Sequence, residues 1–218
     1  MQLLFSNNQH PPVAPARIFC VARNYHLHAK EMQASVPSAP VFFMKPLSAL
    51  VLPTQPIPYP THGNQLEHEA ELVVLIGKSG KPTTEQDALS FIAGLSLGLD
   101  LTLRDVQAKL KEKGLPWEMA KSFDGSAPVG LFTAWNNQWS LDNLTFSCDV
   151  NGDLRQSGQS KDMVFTISQL LVELAKLWML QPGDLIYTGT PAGVGRLHVG
   201  DEVTLSSELL GEFTWNIN

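Results

Sequence analysis

The sequence predicts an α+β fold of antiparallel or mixed β-sheets with a few helices. Apolar runs with strand periodicity are frequent, and the strongest hairpin signal, Asn151-Gly152, lies between two strand-like segments. Helical patterns fall between groups of strands, without the regular strand–helix alternation that predicts a doubly wound parallel sheet. The 218 residues are enough for one sizeable core, so a single domain is expected.

The composition excludes several classes of protein. The chain is 44% hydrophobic and 17% charged, whereas a disordered chain combines low hydrophobicity with high charge. Its 15 Lys and Arg against 21 Asp and Glu give a net charge of −6, which argues against nonspecific binding to nucleic acid or anionic membrane. The longest apolar stretches, 72–76 and 91–101, are shorter than the ~18 residues that a membrane span requires.

The two cysteines predict a reducing compartment. Cys20 and Cys148 are too few for a disulfide framework, and both lie among apolar neighbours, so they are predicted to be buried free thiols. The N-terminus has no basic segment followed by a long apolar one, so no signal peptide is predicted. We therefore expect a cytoplasmic protein.

The first half of the chain predicts short strands and loops, then longer elements. Residues 1–60 contain many prolines between short apolar pieces, and their best helical segment is 25–32, with Asn24 as its N-cap. The elements predicted after residue 60 are a buried strand over 69–76, a helix over 84–93, an interior strand over 94–101 and an amphipathic helix over 102–113.

The second half predicts mostly strands and turns. The segments TFSCDV and DLRQ flank Asn151-Gly152 and form the predicted hairpin. Residues 167–180, placed on a helix, have apolar side chains on nearly every face, which predicts a buried helix. The strands LIYTG and EVTLS each follow a turn, at 181–184 and 198–201.

Three carboxylates lie in or beside the interior strands. Glu69 and Glu71, two residues apart in a strand, point to one face about 7 Å apart, which is unfavourable unless a cation lies between them. Asp100 ends the second interior run, where an acid is equally unfavourable. Three such carboxylates predict an all-oxygen site suited to Mg²⁺ or Mn²⁺, and less so to Ca²⁺. A solvated strand end is the alternative for Glu69 and Glu71.

A second candidate is the pair His28 and Glu31, three residues apart on one face of the predicted short helix. A carboxylate beside an imidazole fixes its tautomer and raises its basicity, which suits activation of a water molecule. A surface ion pair is the alternative. His68 falls on the opposite strand face from Glu69 and is predicted to pack, not to bind metal.

The segment Gly189–Gly195 (GTPAGVG) is rich in backbone amides but matches neither a P-loop nor a dinucleotide fingerprint. It predicts either an anion-binding loop or a tight structural turn. Four cations lie next to the candidate residues in sequence and could serve an acidic substrate: Arg23, Lys45, Arg104 and Lys121.

Seven sequence segments together resemble the fumarylacetoacetate hydrolase (FAH) family, in particular its small acylpyruvase-like members. In chain order they are ARNYHLHAKE, FMKP, HEAELVVLIG, GLDLTLRDVQ, GLPWEMAKSFDGSAPVG, VNGDLRQSGQSKDMVF and QPGDLIYTGTPAGVG, and they cover roughly residues 16–205. The family usually has Gly where this chain has Ala22, and the C-terminal strand here is short. The resemblance implies an FAH-type fold of layered, rolled mixed sheets, with an N-terminal extension over 1–15, one catalytic domain over 16–218, and assembly as a homodimer.

The resemblance also implies roles for individual residues. By matched position, the metal ligands would be Glu69, Glu71 and Asp100, and the water-activating pair His28 and Glu31. Lys121 would polarise the reacting carbonyl. The residues implied to line the substrate pocket are Arg23, Tyr25, Arg104, Gln107 and Thr190.

The expected activity is hydrolysis of a C–C bond in a small acylpyruvate, giving pyruvate and a carboxylic acid. The metal would polarise the pyruvoyl end while activated water attacks the other carbonyl. The same site could instead decarboxylate or tautomerise oxaloacetate, or isomerise a related dienoate. A noncatalytic metal-binding module is a further alternative, but it predicts loss of His28, Glu31 and Lys121, which are all present.

Overall fold

A six-stranded mixed sheet forms the centre of the computed structural model, which describes residues 1–7, 10–137 and 139–218. In spatial order its strands are β2 (Val41–Lys45), β1 (Ile18–Ala22), β12 (Leu185–Tyr187), β5 (Ala70–Ile76), β6 (Ile92–Leu99) and β9 (Thr133–Ala134). β1 and β12 are parallel, and the other neighbouring pairs are antiparallel. The predicted mixed-sheet α+β class is confirmed.

A second, antiparallel sheet contains the predicted hairpin. Its strands are β11 (Asp153–Gln159), β10 (Thr145–Val150), β14 (Glu202–Ser207) and β15 (Gly211–Asn216). Asn151 and Gly152 connect β10 and β11 with φ values of 53° and 80°. Positive φ at both turn residues matches the right-handed twist of a hairpin, and Asn-Gly tolerates it best, so the hairpin prediction is confirmed.

Two small sheets flank the central one. The first joins β13 (Gly195–Arg196), β4 (Leu66–His68) and β7 (Thr102–Leu103), and the second pairs β3 (Leu50–Val51) with β8 (Ala127–Pro128). β4 leads directly to Glu69, and β7 begins two residues after Asp100. Pairing of β4 with β7 therefore holds the backbone next to both carboxylates in place.

The described residues include five α-helices: α1 (His26–Glu31), α2 (Glu85–Leu89), α3 (Arg104–Glu112), α4 (Glu118–Lys121) and α5 (Ile167–Leu177). The short helix α4 was not predicted. α2 is shorter than the predicted helix over 84–93, because Ile92 and Ala93 already belong to β6. α3 begins two residues later than predicted, because Thr102 and Leu103 pair with β4.

Two helix ends differ from the sequence prediction. Asn24 is not the N-cap of α1: that position is Tyr25, and the Asn24 side chain instead bonds to Phe165 and to the carbonyl oxygen of Thr188. α5 ends at Leu177, three residues early, because Trp178 is extended with φ −132° and ψ 143°. In both cases contacts distant in sequence override the local signal.

The central sheet separates two apolar clusters. Leu72 and Val74 of β5 belong to one cluster, and Val73 and Leu75 belong to the other, as alternation along a buried strand requires. Leu3, in the predicted N-terminal extension, packs into the second cluster. The domain boundary itself stays a prediction. Among the described helices, none is long and apolar enough to cross a membrane.

Candidate active site

Three carboxylates converge where two central strands meet. Glu69 lies in the one-residue break between β4 and β5, Glu71 is the second residue of β5, and Asp100 follows β6 directly. The Asp100 backbone N–H donates to the Glu69 carbonyl oxygen at 2.8 Å, so antiparallel pairing brings the start of β5 beside the end of β6. All three side chains are buried, and one carboxylate oxygen from each lies within 4.8 Å of the others. A solvated strand end is therefore excluded for Glu69 and Glu71.

Three cations neutralise two of these carboxylates. Lys121 Nζ lies 2.6 Å from Oε2 of Glu69 and 2.8 Å from Oδ2 of Asp100. Arg104 contacts the other Glu69 oxygen at 2.6 Å, and Lys45 lies 2.8 Å from Oδ1 of Asp100. Burial alone would raise the pKa of Glu69, but the charges of Lys121 and Arg104 outweigh it and hold that pKa below its usual value. Glu69 is therefore ionised and already paired.

Lys45 also fixes the backbone that carries Lys121. Its ammonium donates to the carbonyl oxygens of Leu101, Lys121 and Ser126. The Ser126 hydroxyl donates to the same Lys121 carbonyl at 2.9 Å. The sequence predicted only that Lys45 is a cation near the candidate residues. In the structure its ammonium binds both the Asp100 carboxylate and the backbone carbonyl oxygen of Lys121.

Glu71 differs from the other two carboxylates. Among the described residues, its carboxylate accepts one hydrogen bond, from the backbone N–H of Gly189, which donates to Oε2 at 2.7 Å. Burial and the negative charges of Asp100 and Glu69 raise the pKa of Glu71 well above its usual value. A carboxylate in this position is the one that an added cation would stabilise most. The donors are all hard oxygens, so the residues present fit Mg²⁺ or Mn²⁺.

The His28–Glu31 pair forms as predicted on α1. His28 is buried, and its Nδ1 lies 3.3 Å from Oε2 of Glu31. The Glu31 carboxylate also accepts the backbone N–H of Gly193, at 3.1 and 3.3 Å to its two oxygens. Glu31 is thus held from a second side, and the imidazole orientation is set by a fixed carboxylate.

The predicted residues gather around one cavity of about 360 Å³. The predicted residues that line it are Arg23, His28, Glu69, Glu71, Asp100, Arg104, Gln107, Lys121 and Thr190. Tyr25 and Glu31 are not among its described lining residues. Glu31 contacts the lining residue His28, whereas Tyr25 is buried and does not line the cavity.

Arg23 and Tyr25 each have a polar atom without a partner among the described residues. Arg23 has a left-handed backbone, with φ 61°, which is strained for a residue with a side chain. Its Nη1 donates weakly to the Ser35 carbonyl oxygen at 3.4 Å, while its buried Nε has no hydrogen-bond partner. The buried hydroxyl of Tyr25 also has none, and burial together with the charge of Glu71 raises the pKa of Tyr25.

One face of α3 lines the cavity. Arg104 donates to Oε1 of Gln107 at 2.8 Å and to Oε2 of Glu67 at 2.7 Å. Lys111, four residues after Gln107, continues the same face and also lines the cavity, a role that the sequence prediction missed. The spacing of Arg104, Gln107 and Lys111 by three and four residues was the signal available in the sequence.

The Gly189–Gly195 loop binds carboxylates of the protein itself. Gly189 N–H donates to Glu71 and Gly193 N–H donates to Glu31, so two of its amides hold candidate active-site acids in place. Both glycines have a positive φ, 99° and 100°, which other residues rarely adopt. A Cβ on Gly189 would also come within 2.6 Å of the Asn24 side chain.

Comparison with known proteins identifies the family. The fumarylacetoacetate (FAA) hydrolase C-terminal family matches residues 17–218. Oxaloacetate tautomerase YcgM of Escherichia coli (strain K12) is 44% identical over 192 residues, which cover 88% of each chain. Human mitochondrial oxaloacetate tautomerase FAHD1 is 40% identical over 200 residues, covering 92% of this chain and 90% of its own.

A solved structure gives the same assignment. The fumarylpyruvate hydrolase of Pseudomonas aeruginosa, in complex with Mn²⁺ and pyruvate, superposes with a TM-score of 0.94 at 32% identity. The superposition covers 100% of this chain and 95% of that one. Family, fold and the buried acidic triad therefore agree, and this chain belongs to the fumarylacetoacetate hydrolase family.

Proposed function

We propose that this protein is a Mg²⁺- or Mn²⁺-dependent enzyme that stabilises negative charge developing on a small 2-oxo acid. Glu69, Glu71 and Asp100 would hold the cation. The observation that carries the proposal is that these three buried carboxylates line the same cavity as His28. When bound, the cation supplies Lewis-acid polarisation of the oxygens of the oxo acid.

The residues of the chain supply proton transfer and positive charge. With Nδ1 held by Glu31, the other ring nitrogen of His28 is the group that takes a proton from water or from a substrate carbon. The ammonium of Lys121, fixed between Glu69 and Asp100, provides positive charge beside an oxygen that becomes negative.

The favoured reaction is hydrolysis of the C–C bond of an acylpyruvate. Water, deprotonated by His28, adds to the carbonyl of the acyl group, and the bond between that carbon and the pyruvoyl methylene breaks. The electron pair of the broken bond stays with the pyruvoyl fragment, which takes up a proton and leaves as pyruvate. The buried His28–Glu31 pair supports this reaction, because hydrolysis requires a base for water.

Tautomerisation of oxaloacetate is the second candidate, with decarboxylation of the same substrate as a variant. It is supported by the two relatives named oxaloacetate tautomerase, whose identities of 44% and 40% exceed the 32% of the hydrolase. In the direction of enol formation, His28 would take a proton from the substrate methylene and the oxo oxygen would take one up from solvent, and no water would attack.

A side-by-side assay tests the proposal. The protein, stripped of metal and then supplied with Mg²⁺ or Mn²⁺, is incubated with acetylpyruvate, fumarylpyruvate or oxaloacetate, while loss of the enol absorbance and formation of pyruvate are followed. Metal-dependent release of pyruvate from an acylpyruvate supports hydrolysis, and enol loss from oxaloacetate without pyruvate supports tautomerisation. Absence of any metal-dependent reaction would contradict the proposal. Assembly as a homodimer and a cytoplasmic location stay predictions, the first testable by sedimentation velocity.

A further inference from the structure

Gln156 lies outside the cavity yet binds two segments that carry lining residues of the cavity, the one with Glu69 and Glu71 and the one with Thr190. It is a buried residue of β11, 1% exposed, and it does not contact the cavity. Its Oε1 accepts from the backbone N–H of Ala70 at 3.0 Å and from Nδ1 of His68 at 2.8 Å. Its Nε2 donates to Oγ1 of Thr190 at 2.8 Å and to the carbonyl oxygen of Pro191 at 2.9 Å. One side-chain amide thus makes four hydrogen bonds.

The direction of every bond in this group is fixed by backbone partners. The Ala70 N–H can only donate and the Pro191 carbonyl can only accept, so the two ends of the Gln156 amide cannot be exchanged. Thr190 Oγ1 accepts from Gln156 and donates its own proton to the Ala70 carbonyl oxygen at 2.8 Å. To donate to Oε1 of Gln156, His68 must carry a proton on Nδ1.

Ala70 is the residue between Glu69 and Glu71, and side chains hold both of its backbone polar groups. On the side of β5 away from β6, the pairing with β12 ends at Val73 opposite Tyr187, so within the described part of the chain no strand pairs there with the N–H and C=O of Ala70. Gln156 binds the first group and Thr190 binds the second. Buried backbone groups without partners are unfavourable, so these two side chains substitute for the missing strand.

We infer that Gln156 is a positioning residue for the metal ligands Glu69 and Glu71, acting through Ala70 and Thr190. The two carboxylates leave the chain on either side of Ala70, whose N–H binds Gln156 and whose carbonyl oxygen binds Thr190. Gln156 also holds Thr190 and Pro191, which directly follow Gly189, the residue whose N–H binds Glu71. A second consequence is that the Thr190 hydroxyl has no proton left to donate to a ligand.

This inference rests on the proposed metal site, and it is tested by metal binding without turnover. Free Mn²⁺ is measured by electron paramagnetic resonance during titration of wild type and Gln156→Met. Loss of an outer-shell partner typically weakens metal binding about 10- to 100-fold, and a loss in this range is expected. Ser96→Ala is the matched control, because it removes a buried hydrogen bond from β6, to the Leu131 carbonyl oxygen, without contacting Ala70. Ser96→Ala should lower the melting temperature about as much as Gln156→Met does. Its Mn²⁺ dissociation constant should nevertheless stay within about twofold of the wild-type value.

A second pair of variants keeps the inference testable if Gln156→Met does not fold. Thr190→Ser retains the hydroxyl that binds Ala70 and should bind Mn²⁺ like wild type. Thr190→Val removes it and should bind about 10-fold more weakly or worse. Wild-type affinity in folded Gln156→Met or in Thr190→Val would overturn the inference while leaving the proposed function intact. Failure of the wild type itself to bind Mn²⁺ would overturn the metal site, and the inference with it.

Discussion

The Nζ atom of Lys121 lies 2.6 Å from Oε2 of Glu69, so a lysine already neutralises one of the three candidate metal ligands. Glu71 has no such partner among the described residues, and its pKa is raised by burial and by the charges of Asp100 and Glu69. The site therefore contains two carboxylates, Glu69 and Asp100, that lysine and arginine side chains neutralise, and a third, Glu71, that an added cation would neutralise. We therefore expect substitution of Glu71 and substitution of Lys121 to affect stability differently.

Glu71→Gln should remove most of the stabilisation that metal confers. In the wild type, Mg²⁺ or Mn²⁺ at about 100 times its dissociation constant should add about 2.7 kcal/mol to the free energy of unfolding, seen as a higher melting temperature. Without metal, Glu71→Gln should be no less stable than wild type, because a neutral amide replaces a carboxyl that is unfavourable when charged. The exposed substitution Glu202→Gln is the control. A wild-type melting temperature that does not change at millimolar metal would contradict this prediction.

Lys121→Met should destabilise the metal-free protein strongly. It leaves Glu69 and Asp100 less compensated in a buried site, and breaking such a pair typically lowers the free energy of unfolding by about 3–5 kcal/mol. Added Mg²⁺ should recover part of this loss, because the ion replaces the missing charge. Urea unfolding with and without metal measures both effects, with the exposed Lys109→Met as control. A loss below 1 kcal/mol would mean that Lys121 does not neutralise these acids in solution.

Glu31→Gln should separate hydrolysis of acylpyruvates from decarboxylation of oxaloacetate. A general base contributes about 10²- to 10⁴-fold, so hydrolysis of acylpyruvates should slow by roughly that factor. Decarboxylation of oxaloacetate, which consumes no water at this step, should fall much less. The variant keeps an oxygen that can accept the Gly193 N–H, and the metal-induced melting shift verifies that the site remains assembled. Equal slowing of both reactions would show instead that Glu31 organises the cavity.

Lys111→Met should change the choice of substrate. Lys111 lies at the outer end of the α3 face that begins with Arg104, and none of the described carboxylates forms a salt bridge with it. For fumarylpyruvate, which carries a second carboxylate, KM should rise about tenfold, as expected for loss of one charge-assisted hydrogen bond. For acetylpyruvate, which has a neutral acyl end, KM should stay the same. Lys109→Met is the control, and an equal rise for both substrates would exclude a role in recognising the distal carboxylate.

Cys20 and Cys148 should resist thiol reagents in the native state. Burial raises the pKa of Cys148 to about 12 and that of Cys20 well above its usual value, while the thiolate is the reactive form. Labelling at pH 8 should therefore be slow in buffer and fast in urea. Because the unfolded thiols ionise near pH 8.5 and the folded ones do not, the free energy of unfolding should fall as the pH rises above about 8.5. Rapid native labelling of either cysteine would disprove its burial in solution.

Elements with local signals could be predicted from the amino-acid sequence. The buried strand with Glu69 and Glu71 at its start, the Asn151-Gly152 hairpin and the His28–Glu31 spacing all follow from the short-range periodicity of strands, turns and helices. The resemblance to a family added Lys121, which spacing alone would not have identified.

Hydrogen bonds between groups far apart in the chain could be identified only from the folded structure. Asn24 has the chemistry of an N-cap, yet its amide is used by Phe165 and Thr188, and α5 stops where the chain must turn back toward Gly80. Nothing in the sequence distinguishes Gln156 from the other polar residues of the Asn151-Gly152 hairpin. In the structure, its Oε1 lies 3.0 Å from the backbone nitrogen of Ala70, 86 residues earlier in the chain. A buried polar group must find a partner, but the sequence does not show which strand will end early and leave a backbone group for a side chain to bind.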